Sequence, residues 1–266
     1  MLISTLMTRA PMFVSPKTSL HDAFELMTSE DIRHLPVLEH GALRGVISDR
    51  DLLESLGAPG HETSSPGASS QVCDVMACQP ATLSPQDTVV SAAVEFLVNR
   101  IGCLPVLEGA ELVGMLTEMD MLAAAARQLE PADGPPTQPV EALMAKVVHT
   151  AAPDTTLTEA FALMRRHRVR HLPVVDEDQL VGLLSDRDLR AAIGSEQPDD
   201  LPIASVMSRE PLTVGPELGL PEAARLMAVA KVSCLPVVRG AALLGLLSLT
   251  DVLEHCLESL RDMPAS

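Results

Sequence analysis

Leu-Pro-Val stands at 35–37, 104–106, 172–174 and 235–237, in steps of 69, 68 and 63 residues. No other feature constrains the fold as much, because a chain that repeats itself must bury like units against one another. The same steps carry Met7 to Met76, Met144 and Met207, and Pro16 to Pro85, Pro153 and Pro216. They carry Ala23 to Ala92, Ala160 and Ala223, and Gly45 to Gly114, Gly182 and Gly245. Asp51 becomes Asp120, Asp188 and Asp251. One ungapped block, Met7 to Leu53, therefore recurs three times.

The repeat has a second layer. Units one and three share Arg-His-Leu-Pro-Val (33–37 and 170–174) and Ser-Asp-Arg-Asp-Leu (48–52 and 185–189). Units two and four place Cys103 and Cys234 before the same Leu-Pro-Val. The pattern is ABAB, which predicts two pairs, 1–2 and 3–4, related by an approximate twofold axis. The expected units are 1–56, 72–129, 140–193 and 203–260. The Gly-, Pro- and Ser-rich stretches 57–71, 130–139 and 194–202 read as linkers, and the tail after Leu260 as frayed.

Composition narrows the function. The chain has 266 residues, with 19 Lys and Arg against 36 Asp and Glu, a net charge of -17. Phosphate backbones need a basic face, so nucleic acid is not an expected partner. The chain has no Trp or Tyr, which removes most base-stacking side chains. No apolar run approaches the roughly 18 residues of a membrane helix, so no membrane partner is expected, and the start lacks the features of a signal peptide. Five Cys without a CxxC predict reduced thiols and a cytoplasmic location.

Within unit three the periodicity changes in a fixed order. An extended piece near Val147–Ala151 leads to a break at Pro153-Asp154. Leu157, Ala160, Phe161 and Met164 follow at helical spacing, with Thr156 or Asp154 near the cap. His171–Val175 and Leu180–Leu184 read as strands around a turn at 176–179, and Ser185 opens a second helix. The expectation is an α/β (α+β) unit of strand, helix, strand, strand, helix. At roughly 60 residues such a unit is marginal alone and gains by burying a sheet face against a neighbour.

Pro-Asp-x-x-Leu-x-x-Ala at 153–160, Arg-His-Leu-Pro-Val-Val-Asp at 170–176 and Gly-Leu-Leu-Ser-Asp-Arg-Asp-Leu at 182–189 resemble the CBS domain. All four units carry the likeness. The resemblance implies that tandem units pack into pseudo-twofold modules, and that four of them form a flat disk, as in the γ subunit of the AMP-activated protein kinase. It also implies a ligand, an adenosine nucleotide in clefts between paired units. No sequence remains for a separate catalytic domain, so the expected protein is not an enzyme.

The site residues follow from chemistry and from the family together. Ser48–Asp51, Thr117–Asp120, Ser185–Asp188 and Ser248–Asp251 lie where a strand ends and a helix begins. A carboxylate there can accept two hydrogen bonds from a ribose diol, each worth roughly 1.5–3 kcal/mol. The adjoining helix N-terminus favours a phosphate. The same Ser/Thr-x-x-Asp pattern is also a capping box, which needs no ligand. Arg33, His34, Arg50, Arg170, His171 and Arg187 adjoin the tetrads of units one and three and are the candidates for phosphate. Units two and four have Gly102-Cys103 with Glu118-Met119, and Ser233-Cys234 with Leu249-Thr250. The family places a Thr before the Pro-Asp break, near the nucleoside. Thr82, Thr150 and Thr213 hold that place, but unit one has Phe13.

Local charge points to unit three. Residues 72–133 carry 2 basic and 9 acidic groups, whereas 140–194 carry 7 and 8. Arg165, Arg166, His167, Arg168 and Arg170 account for most of the difference. Arg170 and Arg187 fit a phosphate, because unit one has Arg at both places; Arg165 and Arg166 fit a helix end. Cys103, Cys234 and the repeated Met read as packing residues, and Cys73 and Cys78, which flank a repeat start, as candidates for redox sensitivity. The best-supported function is a sensor of AMP, ADP or ATP, with Mg only if the ligand is ATP, that signals to an unknown regulated protein and has room for a homodimer interface. The rival readings are a ligand-free interaction scaffold, and a sensor of S-adenosylmethionine, a cyclic dinucleotide or a dinucleotide cofactor.

Overall fold

The structure, a computed structural model, describes residues 1–57, 70–129, 138–193 and 201–261. The expected linkers and the C-terminal tail lie mostly outside these residues. The chain falls into two compact bodies, Met1–Met121 and Leu122–Ser266. In chain order the first body holds β1 (Thr8–Arg9), α1 (Leu20–Ser29), β2 (His34–Glu39), β3 (Ala42–Ser48) and α2 (Asp49–Gly57). It continues with β4 (Ala77–Cys78), α3 (Val89–Asn99), β5 (Cys103–Glu108), β6 (Glu111–Thr117) and the start of α4 (Glu118–Leu129). The second body holds α5 (Leu157–His167), β7 (His171–Asp176), β8 (Gln179–Ser185) and α6 (Asp186–Ile193). It ends with α7 (Leu220–Ala230), β9 (Cys234–Arg239), β10 (Ala242–Ser248) and α8 (Leu249–Arg261).

Each unit is a helix, a hairpin and a second helix. In unit three Thr156 caps α5: its hydroxyl accepts from Glu159 N–H, and the Glu159 side chain reaches back to Thr156. The hairpin β7–β8 turns through Glu177 and Asp178, both at positive φ, as a two-residue hairpin turn requires. Leu172, Val174 and Leu184 are fully buried beneath Leu157, Ala160, Met164 and Leu189. The strands are short and apolar on one face, so the helices cover that face.

The expected opening strand is reduced to a contact. Val14, Leu83, Ala151 and Val214 each form a single parallel bridge, to Val37, Val106, Val174 and Val237. Their N–H groups donate to the carbonyls of Pro36, Pro105, Pro173 and Pro236. In unit three Val147 is in no strand and is 87% exposed. Proline at the partnering strand position leaves a free carbonyl but no N–H, which limits the ladder there.

Two units form one body by exchanging their first residues. Ile3 and Ser4 of unit one donate to the carbonyls of Asp87 and Pro85 in unit two. Val72 and Cys73 of unit two donate in return to Thr18 and Pro16. The second body repeats the exchange, with Val140 to Leu218, Glu141 to Pro216, Ile203 to Thr155 and Ala204 to Pro153. Val72 is accordingly packed in the core of unit one, and Ile203 in that of unit three. The sheets record the same crossing: β1 pairs with β6 and β4 with β3.

The repeated methionines serve this exchange. A Cβ on Gly45 would stand 2.8 Å from Met76 Sδ, and one on Gly114 2.6 Å from Met7 Sδ. Gly182 and Gly245 receive Met207 and Met144 in the same way, at 2.5 and 2.6 Å. Each methionine of one unit thus lies on the glycine of its partner. The four are half-buried rather than deep in the core.

Candidate functional site

In all four units the second hairpin strand runs out at a Ser or Thr and the next residue begins a helix. Ser48, Thr117, Ser185 and Ser248 end β3, β6, β8 and β10. The helices α2, α4, α6 and α8 then bring the Asp of each tetrad to their third residue. There its carboxylate turns back on the strand end. Asp51 Oδ2 accepts from Ser48 N–H at 2.8 Å and from Ser48 Oγ–H at 2.7 Å, and Asp51 N–H donates to Ser48 Oγ at 3.3 Å. Thr117–Asp120, Ser185–Asp188 and Ser248–Asp251 repeat the three bonds within 0.1 Å.

The four tetrads are therefore capping boxes. The cap uses one oxygen of each carboxylate; among the described residues Oδ1 of each accepts no hydrogen bond. That oxygen is what a ligand hydroxyl would address. All four aspartates are half-buried. Among the described residues no buried side-chain nitrogen or oxygen lacks a partner. None of them forms a cluster of three or more His, Cys, Asp or Glu suited to a metal.

The surroundings separate odd units from even ones. Strand register pairs His34 with Ser48 and His171 with Ser185, but Cys103 with Thr117 and Cys234 with Ser248. Asp49 N–H donates to Arg33 O and Asp186 N–H to Arg170 O, both at 2.9 Å, and the even units make the same backbone bond, Glu118 to Gly102 at 3.2 Å and Leu249 to Ser233 at 2.9 Å. In the odd units this closure sets an Arg-His dipeptide beside the capped carboxylate. Arg50 and Arg187 are exposed on the first turn of α2 and α6, one residue before Asp51 and Asp188. Arg33 is half-buried and Arg170 exposed. In the even units these places hold Gly102, Ser233, Met119 and Thr250.

Two cysteines adjoin the tetrads without reactivity. Burial pushes the Cys103 thiol up to about 12, helped by the Glu118 and Asp51 carboxylates. Burial alone takes Cys234 to about 12. Both remain protonated packing groups.

The remaining candidates sort by position. Thr82, Thr150 and Thr213 are exposed and immediately precede the bridging residues Leu83, Ala151 and Val214; Phe13 is 58% exposed at the same place. They lie outside the strands. Arg165, Arg166 and His167 form the last turn of α5, and Arg168 is its left-handed cap, donating to Arg165 O and Met164 O. Arg165 also lies over the Phe161 ring at 5.8 Å. Sequence reasoning missed the stack of His149 on His167, 3.7 Å between centroids, because it joins residues of different elements. Cys73 and Cys78 are exposed free thiols. No helix among the described residues is long and apolar enough to cross a membrane.

With this geometry in place, the comparisons agree on one family. The sequence model of the CBS domain matches 3–58, 72–127, 140–195 and 203–258. The CBS domain-containing protein YhcV of Bacillus subtilis is 37% identical over 120 residues, which cover 45% of this chain and 83% of that protein. Protein MJ1225 of Methanocaldococcus jannaschii is 24% identical across 91% of this chain and 94% of its own length. Its crystal structure matches with a TM-score of 0.82 at 22% identity, covering 96% of this chain and 99% of that one. At that identity the likeness is one of fold. An inosine-5'-monophosphate dehydrogenase of Korarchaeum cryptofilum is 29% identical over 72% of this chain, but the match covers only 37% of the enzyme.

Proposed function

This chain belongs to the CBS-domain family, and from that premise we propose that it is a regulatory protein that binds an adenosine nucleotide at the capped carboxylates of its odd units. The observation that carries this reading is the placement of an Arg-His dipeptide and a second exposed Arg around the tetrads of units one and three alone. Oδ1 of Asp51 or Asp188 takes a ribose hydroxyl, while Arg33 with Arg50, or Arg170 with Arg187, meets the anionic end. His34 and His171 add donors beside them. Thr82, Thr150 and Thr213 stand near the nucleoside. Asp120 and Asp251 offer the same oxygen without the cations, so the even units serve the ribose of a second, weaker ligand. AMP, ADP and ATP share the groups recognised, and Mg enters only with ATP.

The protein acts by binding rather than turnover. Within each pair the ligand favours one packing of the two units over another, and the changed surface is read by a regulated protein or by a second copy of the chain. A different observation favours a plain scaffold: all four carboxylates make the same cap, as they would with no ligand at all. A thermal-shift series with AMP, ADP and ATP separates the two. The sensor is stabilised by about 2.7 kcal/mol at 100 times the dissociation constant. A fully folded chain whose melting temperature moves with none of the three is a scaffold.

A further inference from the structure

In both pairs the histidine that starts the odd unit's hairpin meets the residue before the even unit's cysteine. In the first pair that residue is Gly102. A Cβ there would stand 2.7 Å from His34 Nε2 and 2.8 Å from its Cε1, so the imidazole rests on bare backbone. In the second pair the same position is Ser233, whose Oγ shares a 3.3 Å hydrogen bond with His171 Nε2. The repeat register carries 34 to 171 through the first two steps and 102 to 233 through the last two, so the paired positions correspond. The two contacts are one contact made with two chemistries.

We infer that positions 102 and 233 are positioning residues that set the histidine of each pair and make the two pairs unequal toward the anionic end of a nucleotide. The inference rests on the reading that His34 and His171 adjoin that end. The hydroxyl of Ser233 holds the His171 ring in one orientation before ligand arrives, and its oxygen accepts from the ring when Nε2 carries a proton. The His34 ring lies against the backbone of Gly102. A side chain at 102 displaces the ring and leaves the backbone in place, because only the imidazole stands within contact of the new Cβ.

Calorimetric titration of AMP into the full-length chain tests this. Asp51→Ala with Asp120→Ala silences the first pair, so that the second is read alone. In that background Ser233→Ala is expected to weaken AMP about fivefold, and Ser233→Thr, which keeps the hydroxyl, to restore it. In a His171→Ala background Ser233→Ala is expected to add nothing, since the serine acts through the histidine. With the second pair silenced by Asp188→Ala and Asp251→Ala, Gly102→Ala is expected to weaken the first. Unchanged affinity in Ser233→Ala and Gly102→Ala, in a chain that binds AMP, overturns the positioning role and leaves the nucleotide reading intact. A folded wild-type chain that binds no AMP, ADP or ATP overturns both.

Discussion

In the first pair the exchanged segments enter the sheet as two-residue strands, Thr8–Arg9 and Ala77–Cys78. In the second they touch it through single bridges, Ala145 to Leu246 and Ser208 to Leu183. The methionine-on-glycine contact is common to both, and so is the apolar residue of the opening turn, Ile3, Val72, Val140 and Ile203, each fully buried. The difference teaches which contacts make a pair. A second paired residue at the rim is dispensable, because the second pair has the same architecture with one residue pair where the first has two. The exchanged apolar residue and the methionine are kept at every copy. The same logic applies to the tetrad: a cap present in all four units belongs to the fold, and what distinguishes odd units from even ones is the candidate for function.

The largest expected effect lies in the exchanged core residue. Ile203→Ala empties a fully buried site in unit three and is expected to cost about 2–5 kcal/mol. Val72→Ala removes less volume from unit one and is expected to cost less. Chemical denaturation checks both, and equal losses would show that the pairs are not held alike. Next come the glycines. A Cβ on Gly45 would stand 2.7 Å from the Ala77 carbonyl oxygen, which is backbone, whereas the three atoms nearest to one on Gly182 all belong to the Met207 side chain. Gly45→Ala is therefore expected to destabilise by about 1–3 kcal/mol and Gly182→Ala by less, since a methionine can move aside. Reversal of that order in the melting temperatures would contradict the packing described.

The smallest effect is confined to the second pair. Desolvation, with His149 and Arg166 nearby, holds the His167 imidazole below its ordinary 6.5. The folded chain then binds fewer protons there than the unfolded chain does. The contribution of the His149–His167 stack is present above 6.5 and is lost as pH falls from 6.5 through the lower folded value. An NMR titration is expected to place the His167 midpoint below 6.5, and His149→Ala to move it back upward. An unchanged midpoint in His149→Ala would assign the shift to other neighbours.

Much of this was legible in the sequence, for a physical reason. The repeat register, the hairpins and the helix starts depend on local patterns, such as Ser185-x-x-Asp188 or the turn at Glu177-Asp178, which fix conformation within a few residues. The exchange of entry segments was not legible. Ile3 fills a hole whose lining recurs in every unit, so its sequence context cannot tell which copy it enters. Met7 and Gly114 carry the same ambiguity, since Met7 and Gly45 keep the same spacing within one unit. The odd–even contrast at Arg33-His34 and Gly102-Cys103 was legible, yet the contact of His34 with Gly102 was not, because it joins two units. The cationic run at 165–170 divides as its sequence suggests, with Arg165 and Arg166 at a helix end, but the stack of His167 on His149 was not legible, because it joins two separate segments of the chain.

In the proposed function the carboxylates of the odd units grip a nucleotide through the oxygen left over by the cap. Its most direct test is calorimetric titration of AMP into the wild-type chain and into Asp51→Asn with Asp188→Asn. The amide substitutes a neutral carbonyl or an NH2 group for the charged acceptor while keeping the shape of the cap. The wild type is expected to bind saturably and the double variant to lose at least about tenfold in affinity, with folding retained. Equal affinity in the two proteins, or no heat in either while both are folded, would contradict it.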